Sequence, residues 1–130
     1  MILQTDLTTL EAAPADDQPP IVTASPNPSL LWPPNGKVVP VTVSGLVTDL
    51  LSGVNTGSGA YTVADSYGLV QPSGTFTIGA DGTYRFTVAL EARRGGQDKT
   101  GRTYAITVSA RDGAGNVGSA TVVVAVPHNR

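Results

Sequence analysis

The sequence contains no cysteine and only one histidine. The absence of cysteine excludes disulfides, thiolate nucleophiles, iron–sulfur clusters and cysteine-bound zinc. A Ser–His–acid triad would need His128, near the C-terminal end of the sequence, as its base. Paired carboxylates for glycoside hydrolysis would come from a sparse set of acidic residues that lack aromatic sugar-binding neighbours. These shortages predict a protein that is not an enzyme.

Charge is also scarce. Asp, Glu, Lys and Arg make up 14% of the residues and the net charge is −2, against roughly a quarter charged residues in typical soluble domains. This balance gives no reason to expect nucleic acid or an anionic membrane as a partner. No apolar run approaches the roughly 18 residues of a membrane-spanning helix, so we expect no membrane insertion. Residues 1–20 lack the basic and apolar regions of a signal peptide, and we expect the natural protein to be longer.

The sequence is rich in residues that favour β-sheet. Val and Thr dominate its composition, and 15 glycines with 10 prolines supply turns. β-Branched side chains fit a pleated sheet better than a helix. A length of 130 residues suits one domain with its own core. Residues 1–20 end in a Pro-rich acidic run, which predicts a linker or the end of a preceding domain, and residues 21–130 form the predicted module.

Alternation of apolar and polar residues predicts the strands. It places them at about 21–25, 38–47, 60–66, 75–78, 83–92, 104–111 and 119–126, with a further short piece at 68–72. Seven or so short strands separated by turns are typical of a β-sandwich. Pro40 predicts an edge or a bulge, Asp81-Gly82 predicts a type I′ hairpin, and Trp32 is expected to plug one end of the sandwich. The predicted core comprises Val41, Val43, Phe86, Val88, Tyr104, Ile106, Val108 and Val124.

Two segments resemble motifs of bacterial extracellular domains. Residues 104–116 (YAITVSARDGAGN) resemble the penultimate strand of bacterial Ig-like and hyaline-repeat domains. Residues 31–41 (LWPPNGKVVPV) and the ending VPHN at 126–129 resemble segments of the same secreted proteins, although Gly36 and Asn129 stand where those proteins more often carry histidine and aspartate. The resemblance implies an immunoglobulin-like Greek-key sandwich of about seven strands. It further implies an extracellular spacer or accessory module of a larger secreted or cell-surface bacterial protein, with neighbouring domains of the same chain as partners.

Acidic and amide side chains concentrate in the loops that such a topology brings to one pole. Asp49, Asp112 and Asn116 are the predicted metal ligands, with Asp81 and the linker residues Asp16 and Asp17 nearby in this arrangement. Ca²⁺ takes six to eight oxygen ligands from carboxylates, carbonyls and water. The hypothesis is therefore a calcium site at the joint with the preceding domain. In the competing interpretation there is no cofactor, and these residues only stabilise their own turns.

Two further alternatives remain open. A module that binds a glycan or a surface protein would need exposed aromatic rings in a row or a flat, uncovered edge strand, and Tyr61 with Tyr67 offers at most a small platform. An internal isopeptide bond would use Lys37, which is in phase with the apolar residues of its strand. Its proton shuttle would be Glu91, which falls on the polar phase, so we expect no crosslink.

Overall fold

The chain is all-β in the computed structural model, which describes residues 15–129. No helix among these residues is long and apolar enough to cross a membrane. The strands are β1 (Ile21–Val22), β2 (Ser25–Asn27), β3 (Val38–Thr48), β4 (Gly59–Asp65), β5 (Ser73–Phe76), β6 (Thr83–Glu91), β7 (Arg102–Arg111) and β8 (Val117–Val126).

The strands form two antiparallel sheets. In the first, β3 pairs with β1 and β2 on one side and with β6 on the other, and the second has the order β5-β4-β7-β8. This arrangement confirms the predicted all-β fold and is consistent with a β-sandwich. Pro40 lies opposite Ala89 of β6, but the partners of β3 on the other side begin only at Thr42. Pro40 is therefore at a local edge, as its missing N–H requires.

The core between the sheets contains the residues that alternation selected. All eight predicted core residues are buried. Phe86 stacks on Tyr61 with ring centroids 4.4 Å apart. The centroid of the Phe76 ring lies 4.9 Å from that of Phe86. The hydroxyl of Tyr104 donates to the carbonyl of Glu91 at 2.6 Å.

Three local expectations were wrong. Trp32 is 37% exposed, and its neighbour Leu31 is buried instead. The Leu31 N–H donates to the Ala125 carbonyl at 2.8 Å, which holds that residue against β8. The 80–83 turn is not type I′, because Gly82 has a positive φ but Asp81 does not. Its hydrogen bonds, Gly82 N–H to Gly79 O and Gly79 N–H to Thr83 O, are those of a type I turn followed by a left-handed glycine. Residues 68–72 form no strand.

The described part of the predicted linker, residues 15–20, follows the surface into β1. Pro20 is buried, and its carbonyl oxygen approaches Gly118 so closely that a Cβ there would lie 2.0 Å from it. A side chain at position 118 would push the linker away from β8. The rest of the predicted linker, residues 1–14, lies outside the described residues.

Candidate metal site

Three carboxylates converge where residues 15–20, the described part of the predicted linker, meet the loops at the ends of the sheets. One oxygen from each of Asp16, Asp49 and Asp112 lies within 4.8 Å of the others. Asp16 belongs to the linker, Asp49 follows β3, and Asp112 follows β7. The site therefore joins three segments that are far apart in the sequence.

Backbone N–H groups of the β3–β4 loop hold the Asp49 carboxylate in place. Its Oδ2 accepts hydrogen bonds from the backbone N–H groups of Ser52 at 3.1 Å and Gly53 at 2.9 Å. Gly53 has a φ of +81°, which favours glycine. The loop folds back on itself and presents the carboxylate toward the linker.

The β7–β8 turn holds Asp112 in a buried position, with 1% of the residue exposed. Its Oδ1 accepts from the backbone N–H groups of Ala114 at 3.0 Å and Asn116 at 2.8 Å. The N–H of Gly113 donates to the Gly53 carbonyl at 2.8 Å, which fixes this turn against the β3–β4 loop. Hydrogen bonds from backbone N–H groups of their own turns therefore fix the positions of the Asp49 and Asp112 carboxylates.

Asp16 is held by Ser52. Its Oδ2 accepts from the Ser52 hydroxyl at 2.5 Å and from the Ser52 N–H at 3.2 Å, while its Oδ1 accepts from the Gln18 N–H at 2.9 Å. The Ser52 hydroxyl oxygen also accepts from the Ala114 N–H at 3.2 Å. Ser52 therefore contacts all three segments of the site.

Asn116 provides a second connection between the linker and the β7–β8 turn, after that of Ser52. Its side-chain Nδ2 donates to Asp112 Oδ2 at 2.8 Å, to the Asp16 carbonyl at 2.9 Å and to the Gln18 carbonyl at 3.5 Å. Of the predicted ligands, Asp49 and Asp112 meet at the site with Asp16. Asn116 instead directs its side-chain N–H groups at Asp112 and at the carbonyls of the linker. Asp81 is absent from this cluster and binds Thr83 within its own turn.

The negative charge of the three clustered carboxylates is not balanced by a positively charged side chain of the described residues. Hydrogen bonds, foremost from the Ser52 hydroxyl, hold the pKa of Asp16 below its usual range despite partial desolvation. None of the three carboxylates forms an ion pair with an arginine or lysine of residues 15–129. N–H dipoles offset part of the repulsion, and a cation would offset more.

The spacing of the oxygens suits one Ca²⁺ ion. Calcium–oxygen distances of about 2.4 Å allow two ligand oxygens to be at most about 4.8 Å apart. The three carboxylate oxygens meet this limit. They supply three of the six to eight oxygens that Ca²⁺ takes, with carbonyls and water as the remaining ligands.

A second charged cluster, which was not predicted from the sequence, lies inside the sandwich. It consists of Arg102 and the two carboxylates that bind it, Asp65 and Glu91. The Arg102 side chain is fully buried, and its Nε donates to Asp65 Oδ1 at 2.8 Å while Nη1 donates to Glu91 Oε1 at 3.1 Å. The Arg102 Cζ atom lies 4.6 Å from the ring centre of Tyr67 and 4.9 Å from that of Tyr104. Burial acts to raise the pKa of Asp65, but Arg102 and backbone N–H donors outweigh it and hold that pKa well below its ordinary range.

The remaining candidates are engaged elsewhere or isolated. Tyr61 stacks on Phe86, and the Tyr67 hydroxyl donates to Asp98 at 2.6 Å, so neither ring forms a free platform. Lys37 is exposed. His128 has a buried Nδ1 without a hydrogen-bond partner in the described part of the chain.

Comparison with known proteins gives no match to a family model, a curated protein or a solved structure.

Proposed function

We propose that this chain is a non-catalytic structural module of a larger secreted or cell-surface protein, with the topology of an immunoglobulin-like Greek-key sandwich. The strand orders, with β3 between β1/β2 and β6 and with β5-β4-β7-β8 opposite, support that topology. The Tyr104 hydroxyl, near the start of β7, bonds back to the Glu91 carbonyl upstream, which resembles the tyrosine corner of immunoglobulin-like domains except that the acceptor lies 13 residues away rather than a few.

The observation that carries the structural role is the attachment of the linker. Asp16 is tied to Ser52 through its carboxylate and to Asn116 through its carbonyl. The close contact of Pro20 with Gly118 adds a third point of attachment. A linker fixed at three points transmits a defined orientation to a neighbouring domain, which is what a spacer requires.

An apolar surface beside the linker supports a neighbouring domain as the partner. A groove of about 670 Å³ is lined by Pro19, Pro20, Ile21, Leu50 and Leu51, among others. Leu50 is 98% exposed and Ile21 is 68% exposed. Contiguous exposed apolar residues mark interaction sites more often than isolated ones do.

Calcium bound by Asp16, Asp49 and Asp112 is the second part of the proposal. Bound metal stabilises the folded state by RT ln(1 + [L]/Kd), about 2.7 kcal/mol at a hundredfold excess over Kd. Melting temperatures measured in millimolar Ca²⁺ and in EDTA test this directly. We expect calcium to raise the melting temperature by several degrees.

Two neighbouring substitutions provide the control. Asp16→Ala removes one ligand and is expected to abolish the calcium effect. Asp17→Ala removes the same charge from an exposed position outside the cluster and is expected to retain it. Equal melting temperatures in Ca²⁺ and EDTA for the wild type would reject calcium and leave hydrogen bonds alone to hold the linker.

The alternative function, binding of a glycan or a surface protein, has support from one feature only. Trp32 is the one exposed aromatic side chain among residues 15–129, so the rings form no exposed row. The uncovered sheet edges are that feature, since the outer edges of β6 and β8 have no strand partner in the described chain beyond single bridges at Tyr84 and Ala125.

A further inference from the structure

The apolar groove beside the linker is built from two leucines of the β3–β4 loop and from the residues that lead into β1. Leu50, Leu51 and Ile21 all line it, and each of the three is well over half exposed. Pro19 and Pro20 complete its apolar wall. Apolar side chains that converge in this way, instead of lying singly on the surface, mark a site that another apolar surface covers.

The groove is preformed. The Asp49 carboxylate accepts hydrogen bonds from the N–H groups of Ser52 and Gly53, and these bonds hold the two leucines of the same loop in an outward position. The prolines on the other wall have a fixed φ and cannot swing away easily. A preformed site requires little ordering when it is filled, so modest contacts are enough to fill it.

The chain that precedes the described residues contains a set of side chains suited to this groove. Residues 1–14 carry the aliphatic residues Ile2, Leu3, Leu7 and Leu10, and the positions between Leu3 and Leu10 are otherwise polar. Apolar grooves accept such aliphatic side chains while the polar residues between them stay in water.

The attachment of Asp16 brings this segment to the groove. The Asp16 carboxylate accepts from the N–H of Ser52 at 3.2 Å, and Ser52 directly follows Leu51, which lines the groove. The chain therefore enters the described structure beside one wall. Leu10 is six positions before Asp16, and six residues span at most about 20–22 Å. The Leu10 side chain can thus reach the groove without any change in residues 15–129.

The short connection also favours the segment over a separate molecule. A short flexible connection gives an effective concentration in the millimolar range, so contacts too weak to hold a free peptide suffice. A second copy that used the same groove would bring two Asp49 carboxylates toward each other, because Asp49 lines the groove as well.

We propose that the segment of residues 1–14 occupies this groove, with its leucines against Leu50, Leu51 and Ile21. The proposal rests on the proposed structural role, since it needs the linker attached through Asp16, and it names the occupant of the apolar surface beside that linker. Once the groove is filled, the fixed connection extends beyond residue 15 toward residue 3. The segment contains Asp6 and Glu11 and no basic residue, so apolar contacts hold it and salt should strengthen the contact by screening repulsion from Asp49.

A nitroxide label tests the occupancy, because the chain has no cysteine and a single one can be introduced. Thr5→Cys carries the label between two of the leucines without removing an aliphatic side chain. The reference chain carries the same label together with Leu3→Ser, Leu7→Ser and Leu10→Ser, so it is tethered in the same way but lacks the apolar contacts.

We expect the label to weaken the amide signals of the three groove residues at least about twofold more in the first chain than in the reference chain. The difference should persist or grow when sodium chloride is raised to about 0.5 M. Equal weakening in the two chains would overturn the proposal, because tethering alone would then account for it. Loss of the difference in salt would overturn an apolar contact.

Substitutions on the groove side provide the matched control. Leu50→Ser removes part of one wall and should abolish the extra weakening at Ile21 and Leu51. Leu69→Ser removes an equally solvated leucine, 75% exposed in the loop between β4 and β5 and outside the groove, and should retain it. Both side chains project into water, so both variants should fold. Equal effects of the two substitutions would contradict the proposal.

A mixture of two differently labelled chains distinguishes the chain's own segment from that of a second copy. When ¹⁵N-labelled chain without nitroxide is mixed with unenriched chain that carries it, the groove signals should keep their intensity. Weakening in the mixture equal to that within one chain would overturn the proposal in favour of a second copy. A negative result with an ordered Asp16 rejects this occupant alone, whereas a mobile Asp16 would reject the structural role as well.

Discussion

The hydroxyl of Ser52 donates to Oδ2 of Asp16 across 36 residues of sequence. The same hydroxyl oxygen accepts from the N–H of Ala114, so a single side chain connects the linker with both loops of the pole. The local turns hold Asp49 and Asp112 in place without any help from the linker. The Ser52 contact is what adds Asp16 to them and produces both the carboxylate cluster and the attachment of the linker.

The core depends on the Phe86 ring, which stacks against Tyr61 and Phe76. Phe86→Ala should lower the free energy of unfolding by about 3–5 kcal/mol, because the cavity adds to the lost burial. Urea denaturation followed by circular dichroism gives this value. Thr87→Ala, the exposed neighbour, should change it by no more than about 0.5 kcal/mol. A loss under about 1 kcal/mol for Phe86→Ala would mean that the ring does not face the core.

The Tyr104 hydroxyl connects β7 with the end of β6. It donates to the Glu91 carbonyl and accepts from the Glu91 N–H at 3.1 Å, and Tyr104→Phe would leave both groups unpaired. We expect Tyr104→Phe to cost about 1–3 kcal/mol of unfolding free energy in chemical denaturation. Tyr61→Phe is the matched control, because no hydrogen bond to the Tyr61 hydroxyl is present in the described structure, and it should cost less than about 0.5 kcal/mol. Equal costs would contradict the role assigned to Tyr104.

The Asp65–Arg102 pair makes stability depend on acid. The pKa of Asp65 is lowered in the folded state, so its contribution is present above the unfolded pKa of about 3.9 and is lost as pH falls through the folded value. Asp65→Asn leaves the buried Arg102 with only the partly exposed Glu91 as an ion-pair partner and should cost about 3–5 kcal/mol at pH 7.

Melting temperatures between about pH 5 and about pH 2 check the sign of this effect. The wild type should lose stability over that range, and Asp65→Asn should lose less of it because its principal titrating group is gone. The exposed Asp17→Asn variant should keep the wild-type slope. An unchanged slope in Asp65→Asn would show that other carboxylates control acid unfolding.

Alternation predicted the strands and the core because one face of each sheet is buried. Phe86 and Val108 are buried for that reason, and their neighbours in the sequence face outward. The same alternation also indicates that Arg102 is buried, because Arg102 is in phase with Tyr104 and Ile106. A charged residue on the core phase predicts a buried partner, but only the pairing of β4 with β7 shows that the partner is Asp65.

The site was predictable in part. Asp49 and Asp112 follow strands that end at the same pole, so the topology alone brings them near each other. Both linker carboxylates were expected near this pole, but the choice of Asp16 over Asp17 depends on the path of the linker. That path depends on Ser52 and Asn116, which contact Asp16 across 36 and 100 residues of sequence. No local pattern contains that information. The position of Trp32 was missed for a similar reason, since the backbone contact of Leu31 with β8 decides which of the two neighbours turns inward.

Backbone order in the linker tests the structural role most directly. ¹⁵N relaxation should give Asp16, Asp17 and Gln18 order parameters near those of the sheets, about 0.85. Ser52→Ala should lower them below about 0.6, while Ser73→Ala, an exposed serine of β5 outside the three points of linker attachment, should leave them unchanged. Wild-type values already below about 0.6 at these residues would contradict a linker fixed to the module.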